Sequence, residues 1–173
     1  MHLLHLLRHA KSSWKENVED HERPLNRRGR EAARLVAQHL PASVGAIDLV
    51  LCSSAVRTRE TLDLAISGLA PRPRCVIEDA LYLAGRDELI GRLQQLAESD
   101  VNVLMIGHNP GLHELAVALA EPDSPRARAL ASGKFPTAAR ISLCVAMRWS
   151  ALGGARHRVV DYVTAGSLFG RKG

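Results

Sequence analysis

Aromatic residues are scarce: two each of Trp, Tyr and Phe in 173 residues, 3% of the chain. So few rings exclude the stacking platform on which single-stranded nucleic acid is usually bound. Cysteine is limited to Cys52, Cys75 and Cys144, far apart and without a Cys-x-x-Cys pair. An odd, scattered set excludes a disulfide framework and a thiolate zinc site. The three read as small buried apolar residues. Long hydrophobic runs are missing as well. No stretch approaches the roughly 20 residues of a membrane span. Residues 1–8 are interrupted by His5 and stopped by Arg8, too short for the core of a signal peptide. A cytoplasmic protein with no membrane partner is therefore expected. Lys and Arg number 23 against 18 Asp and Glu, a net charge of +5. No run of five basic residues occurs, so the excess suits an anionic partner without indicating nucleic acid.

What is present is a packable chain. Apolar residues make up 46% of it, and the length predicts one domain with one sizeable core. Short apolar runs alternate with helical patterns. Strands are expected over 3–7, 47–52, 75–77 and 101–106, with two closing strands over 139–149 and 157–163, joined by a turn at Gly153-Gly154. Helices are expected over 27–40, 56–66, 87–97 and 112–120. The first carries Ala32, Ala33, Val36, Ala37 and Leu40 on one face and is stopped by Pro41. Strand–helix alternation predicts an α/β three-layer sandwich, a mostly parallel central sheet flanked by helices. Ligands of such sheets sit beyond the carboxyl ends of the strands.

Those positions hold Arg8-His9-Ala10-Lys11-Ser12, then Ser53-Ser54-Ala55-Val56-Arg57, then Gly107-His108-Asn109-Pro110-Gly111. Two histidines and two arginines would converge there, with no carboxylate in the three motifs to neutralise them. Arg57 falls in the first turn of its helix, where the dipole repels a cation by roughly 0.3–1 kcal/mol. A bound anion would offset that repulsion. Asn109-Pro110 reads as an N-cap followed by proline at the first helical position, and Ser54 as a second cap. Helix starts of this kind direct free N–H groups at an anion. Arginine suits a dianionic phosphoryl group because its planar fork grips two oxygens and stays charged. A neutral imidazole can attack phosphorus and carry the phosphoryl group.

Arg8-His9-Ala10 resembles the Arg-His-Gly signature of the histidine phosphatase superfamily, the phosphoglycerate-mutase-like fold. Residues 53–61, Ser-Ser-Ala-Val-Arg-Thr-Arg-Glu-Thr, are similar to its Ser-Pro-x-x-Arg-Ala-x-x-Thr motif, and 107–110 to its second-histidine motif. Residues 23–29 and 135–139 resemble segments of the SixA-type phosphohistidine phosphatases, as does the short length, which leaves no room for a large helical cap. Ala10 stands where the signature has Gly, and Ser54 where the second motif has Pro. The resemblance implies His9 as the phosphoryl-accepting nucleophile, with Arg8, Arg57 and His108 completing the phosphate pocket, and no metal or cofactor. It implies a phosphohistidine-bearing protein, or else a small phosphorylated molecule, as substrate.

Family members that cleave phosphate esters carry a carboxylic acid shortly after the third strand. Here Tyr82 or Leu83 takes that place, and Glu78 and Asp79 lie a turn too early. The alternatives are a phosphosugar phosphatase or mutase on the same fold and a non-catalytic phosphate-binding module. Lys11 and Ser12 are secondary phosphate contacts, with solvated loop residues as the plainer reading. His113-Glu114 reads as a plain helix face, and His2, His5, His21, His39 and His157 as structural or solvated. The charged stretch 23–34 reads as an exposed helix start.

Overall fold

Four of the strands are short runs of Leu, Ile, Val and Met that are buried on both faces, the composition of a central sheet covered on two sides. A computed structural model describes residues 1–170. The strands are β1 (His2–Arg8), β2 (Leu49–Ser53), β3 (Arg74–Glu78), β4 (Asn102–Gly107), β5 (Arg140–Val145) and β6 (Arg158–Val163). They form one six-stranded sheet in the order β3-β2-β4-β1-β5-β6. β3, β2, β4 and β1 run parallel, and β5 is antiparallel to both its neighbours.

Helices α1 (Arg27–Val44), α2 (Val56–Ala65) and α6 (Ala165–Phe169) cover one face. Helices α3 (Arg86–Gln94), α4 (Gly111–Leu119) and α5 (Pro125–Ser132) cover the other. Alternation along the strands feeds both layers. Leu49 and Leu51 pack toward α3 and α4, while Val50 and Cys52 pack toward α1 and α2. The expected three-layer α/β sandwich with a mostly parallel sheet is what the chain forms.

Several local expectations need correction. α1 continues through Pro41 to Val44, because Leu40 and Val44 are buried in the core beneath it. The Ser43 hydroxyl donates to the carbonyls of His39 and Leu40, and Gly45, at φ 69°, ends the helix. The first closing strand stops at Val145, and Trp149 begins a single 3-10 turn, fully buried. α5 and α6 lay outside the sequence reading. Cys52 and Cys144 are buried as expected, but Cys75 is exposed, because β3 is an edge strand whose outer face is uncovered. His5 is structural: its ring bonds to Ser142 Oγ at 2.7 Å and Asn102 Oδ1 at 2.8 Å.

One glycine binds the loop after β1 to the start of α1. A Cβ on Gly29 would lie 2.1 Å from the Lys11 carbonyl oxygen, a backbone atom that cannot swing aside. Asn26 N–H donates to that same oxygen at 2.9 Å. Gly29→Ala is expected to lose about 1–3 kcal/mol of stability, the usual cost of overpacking. Urea unfolding reads it, and an unchanged midpoint would show that the loop yields freely.

Candidate functional site

The site begins with the register of two strands. β1 and β4 lie side by side in parallel, with Arg8 opposite Gly107. The next residues, His9 and His108, therefore leave the sheet at the same level. His9 N–H donates to the Gly107 carbonyl at 3.1 Å, and the two imidazole centroids are 5.2 Å apart. β2 flanks β4 on the other side and ends at Ser53; α2 starts three residues later and carries Arg57 in its first turn. Thr61 locks this helix to β1, since its hydroxyl accepts from Ala10 N–H at 3.0 Å and donates to the Arg57 carbonyl at 2.7 Å. The methyl of Ala10, which replaces glycine in the signature, is fully buried in the core under α1 and α2.

Arg8, His9, Arg57 and His108 line a cavity of about 320 Å³ together with Lys11, Ser12, Arg23, Asn109 and Thr137. All four residues singled out from the motifs are thus brought together. Segment 135–139 closes one side: Ala138 N–H donates to the Arg8 carbonyl at 3.1 Å. The Phe135 carbonyl accepts from Arg8 Nη1 and Asn109 Nδ2, each at 2.9 Å.

Both histidines are held neutral. Burial, more than any other cause, pulls the His9 pKa from the ordinary 6.5 to about 4, and Arg57, Arg8 and Arg23 add to it. His9 Nδ1 donates to the Ala10 carbonyl at 2.7 Å, which leaves the Nε2 lone pair available. Burial, then the neighbouring His9 and Arg57, lowers His108 to about 3. Its Nε2 bonds to Ser53 Oγ at 2.7 Å, and Arg57 Nη2 lies 3.4 Å from its Nδ1. With a guanidinium donating to Nδ1, the proton of neutral His108 sits on Nε2 and is given to Ser53.

The cluster is not free of carboxylate, and the counter-ion comes from outside the three motifs. Asp20, in a 3-10 turn between β1 and α1, accepts from Arg57 Nη2 at 3.0 Å, Arg23 Nη1 at 2.8 Å and Tyr82 Oη at 2.5 Å. The Tyr82 hydroxyl first, and then the Arg23 and Arg57 guanidinium groups, lower its pKa to about 2. Arg23, expected on an exposed helix start, is buried and lines the cavity. It is held by the Ser12 hydroxyl and, at 2.9 Å, by the Ser13 carbonyl, and it stacks on Trp14 at 3.2 Å from the ring centroid. The Ser12 hydroxyl is therefore engaged by Arg23, whereas Lys11 is exposed at the cavity edge.

Neither expected cap forms. Ser54 Oγ instead bonds to His21 Nε2 at 2.9 Å, and Ala55 is the cap residue of α2. Asn109 uses its amide on Phe135, so α4 starts at Gly111. A Cβ on Gly111 would come within 2.0 Å of the Ala84 carbonyl oxygen. Glu78 is taken up by Arg92, with contacts of 2.7–2.9 Å, and Asp79 is exposed. Leu83, at φ 51°, faces the cavity. His113 bonds the Leu130 carbonyl at 2.9 Å, joining α4 to α5 as a helix-face residue.

The depressed imidazoles tie stability to pH. His5, His9 and His108 have folded-state pKa values of about 4, 4 and 3, below the ordinary 6.5. The unfolded chain therefore takes up protons first as pH falls below 6.5, and stability drops from there toward pH 4. Urea midpoints are expected to be lower at pH 5 than at pH 7, with a smaller difference in His9→Ala. Equal differences in the two proteins would mean that His9 titrates normally.

Comparison with known proteins agrees with this geometry. The model of the histidine phosphatase superfamily (branch 1) matches residues 4–82. An uncharacterized protein of Mycobacterium tuberculosis is 36% identical over 147 residues, covering 83% of this chain and 90% of that protein. Among solved structures, a candidate phosphohistidine phosphatase SixA from Nakamurella multipartitia superposes with a TM-score of 0.82 at 28% identity, over 94% of this chain and 95% of that one. The protein histidine phosphatase SixA in complex with tungstate shares the fold, with a TM-score of 0.76 at 23% identity over 96% and 99% of the two chains. With its two histidines and two arginines gathered at the strand ends as the motifs require, the chain belongs to the histidine phosphatase superfamily, in the SixA-type branch.

Proposed function

We propose that this protein is a phosphatase that takes a phosphoryl group onto His9 and passes it to water, and that its substrate is phosphohistidine in a protein. The observation that carries the reading is a neutral imidazole with a free Nε2 inside a cradle of buried guanidinium groups. In the first step the Nε2 lone pair attacks phosphorus. The bond from phosphorus to the substrate nitrogen breaks, and the protonated substrate imidazole departs neutral. In the second step water adds to phosphorus, the bond to His9 breaks, and inorganic phosphate is released. Arg8, Arg57 and Arg23 stabilise the charge on the three equatorial oxygens in both transfers. His108 lies beside His9 on the cavity wall, its ring fixed by Ser53 at Nε2 and Arg57 at Nδ1.

The choice of a nitrogen leaving group rests on the acids. An alkoxide needs a proton donor in the transition state. Among the described residues that line the cavity there is no Asp or Glu. Asp20, just behind Arg57, is held ionised far below neutrality, and Glu78 is bound to Arg92. Leu83, which with Tyr82 stands where ester-cleaving family members carry their acid, lines the cavity with an apolar side chain. A phosphoramidate needs less help, because its nitrogen can be protonated near neutral pH before the bond breaks.

The reading makes two groups of predictions. His9→Ala is expected to abolish turnover, and rapid quench of the wild type to trap an acid-labile, base-stable phosphoenzyme. Arg57→Lys keeps the charge but loses the fork, and should cost about 2–3 kcal/mol, roughly 30- to 150-fold in kcat/KM. Full activity in either variant would remove that residue from the chemistry. The second group concerns specificity and pH. Phosphohistidine and phosphoramidate should exceed every sugar phosphate in kcat/KM, with the acid limb near pH 4, where His9 protonates. A sugar phosphate turned over faster, with activity lost in Glu78→Gln or Asp79→Asn, would establish an ester-cleaving enzyme.

A further inference from the structure

A second concavity, about 600 Å³, lies beside the phosphate cradle. Lys11, Ser12 and Trp14 line both, so the two are continuous. Its remaining cations are Lys15 and, from the start of α1, Arg27, Arg28 and Arg30; Glu16 is the acid among its lining residues. The first turn of α1 contains no acidic residue, so these arginines face the positive end of the helix dipole, with Glu60 bonded to Leu25 N–H at 2.6 Å as the carboxylate at the helix entry. Arg27 is paired only along its own helix, with Glu31 at 3.3 Å, and Arg30 donates to the Leu25 carbonyl. The side chains of Lys11 and Arg28 have no hydrogen bond or ion pair among the described residues, and the exposed Glu16 is a charged neighbour of Lys15. Trp14, 79% exposed, stands where the groove meets the cradle, one face covered by Arg23.

We propose that this groove receives an acidic stretch of polypeptide flanking the phosphorylated residue of the substrate protein. The inference rests on the phosphatase reading above and adds what the partner must look like. The groove is larger than the cradle, so a phosphosugar held in the cradle would leave it unused. Its cations are separate single charges on two chain segments, 11–15 and 27–30, which matches a series of carboxylates. Charge complementarity of this kind acts on encounter and on KM, and it weakens with salt. One exposed tryptophan is too few for a run of stacked bases, which disfavours nucleic acid.

The test uses two synthetic phosphohistidine peptides, identical except that Asp and Glu flank the phosphorylated residue in one, and Ser and Gln in the other. The wild type is expected to favour the acidic peptide by about tenfold in kcat/KM, chiefly through KM, as for a charge-steered contact. Raising the salt should shrink that ratio, and Lys15→Glu/Arg28→Glu should bring it to unity or below. Equal kcat/KM on the two peptides in the wild type overturns the groove and leaves the phosphatase reading standing, as does a preference that survives the charge reversal. If neither peptide is hydrolysed, the phosphohistidine reading fails, and the groove is read by titrating the unphosphorylated acidic peptide. Salt-sensitive binding lost in the double variant upholds the groove; no binding overturns it. A short DNA duplex that displaces the acidic peptide at lower concentration than the peptide itself also overturns it, in favour of a nucleic-acid ligand.

Discussion

The pairing of β1 with β4 is the constraint from which the rest of the site follows. Because Arg8 sits opposite Gly107, His9 and His108 emerge together with little freedom to separate. A slip by one residue would turn every side chain of β1 to the other face. That slip is opposed by the core itself, since Leu4 and Leu6 pack on one side of β1 and Leu7 on the other. The site is therefore positioned by the hydrophobic pattern of strands that carry no chemistry. Thr61 and the Ala138 N–H then tie the strand end to α2 and to the 135–139 segment.

The second requirement is electrostatic. Arg8, Arg23 and Arg57 crowd one cavity, and their mutual repulsion would spread them apart in the unliganded protein. Asp20 prevents this by bridging Arg23 and Arg57, while the Tyr82 hydroxyl donates to the same carboxylate oxygen that Arg57 contacts. Burial acts on the histidines in the opposite sense and removes their charge. Arginine stays ionised where imidazole does not, so one environment produces fixed cations and neutral imidazoles side by side.

His9, Arg8, Arg57 and His108 were legible in the sequence because each lies at the end of a strand or within four residues of it, and strand ends are where an α/β sheet presents its chemistry. Asp20 and Arg23 were not. They lie in an irregular stretch whose path is set by long-range bonds such as Ser13 N–H to the Pro24 carbonyl and Asn26 N–H to the Lys11 carbonyl. No periodicity reports such bonds. Arg23 did sit in a segment resembling the SixA type, and that was a signal for more than an exposed helix start. Thr61 was likewise quoted within its motif, without the helix-to-strand clamp being evident. The caps failed for a related reason: Ser54 and Asn109 are good capping residues, but His21 and Phe135 offered partners that only the tertiary structure creates. Pro41 failed as a stop because the burial of Val44 outweighed the hydrogen bond a proline forgoes.

The Asp20 bridge also bears on what happens after hydrolysis. A guanidinium cradle recognises the oxygens of a phosphoryl group and is blind to what was attached to them, so it holds inorganic phosphate as readily as the phosphorylated end of a substrate. Asp20 is a tethered rival for the same guanidinium groups, present at a high effective concentration whatever the solution contains. Arg57 and Arg23 already have this carboxylate in contact, so neither is an unpaired buried cation. By competing for the same guanidinium groups, the bridge weakens the hold of the cavity on any single anion.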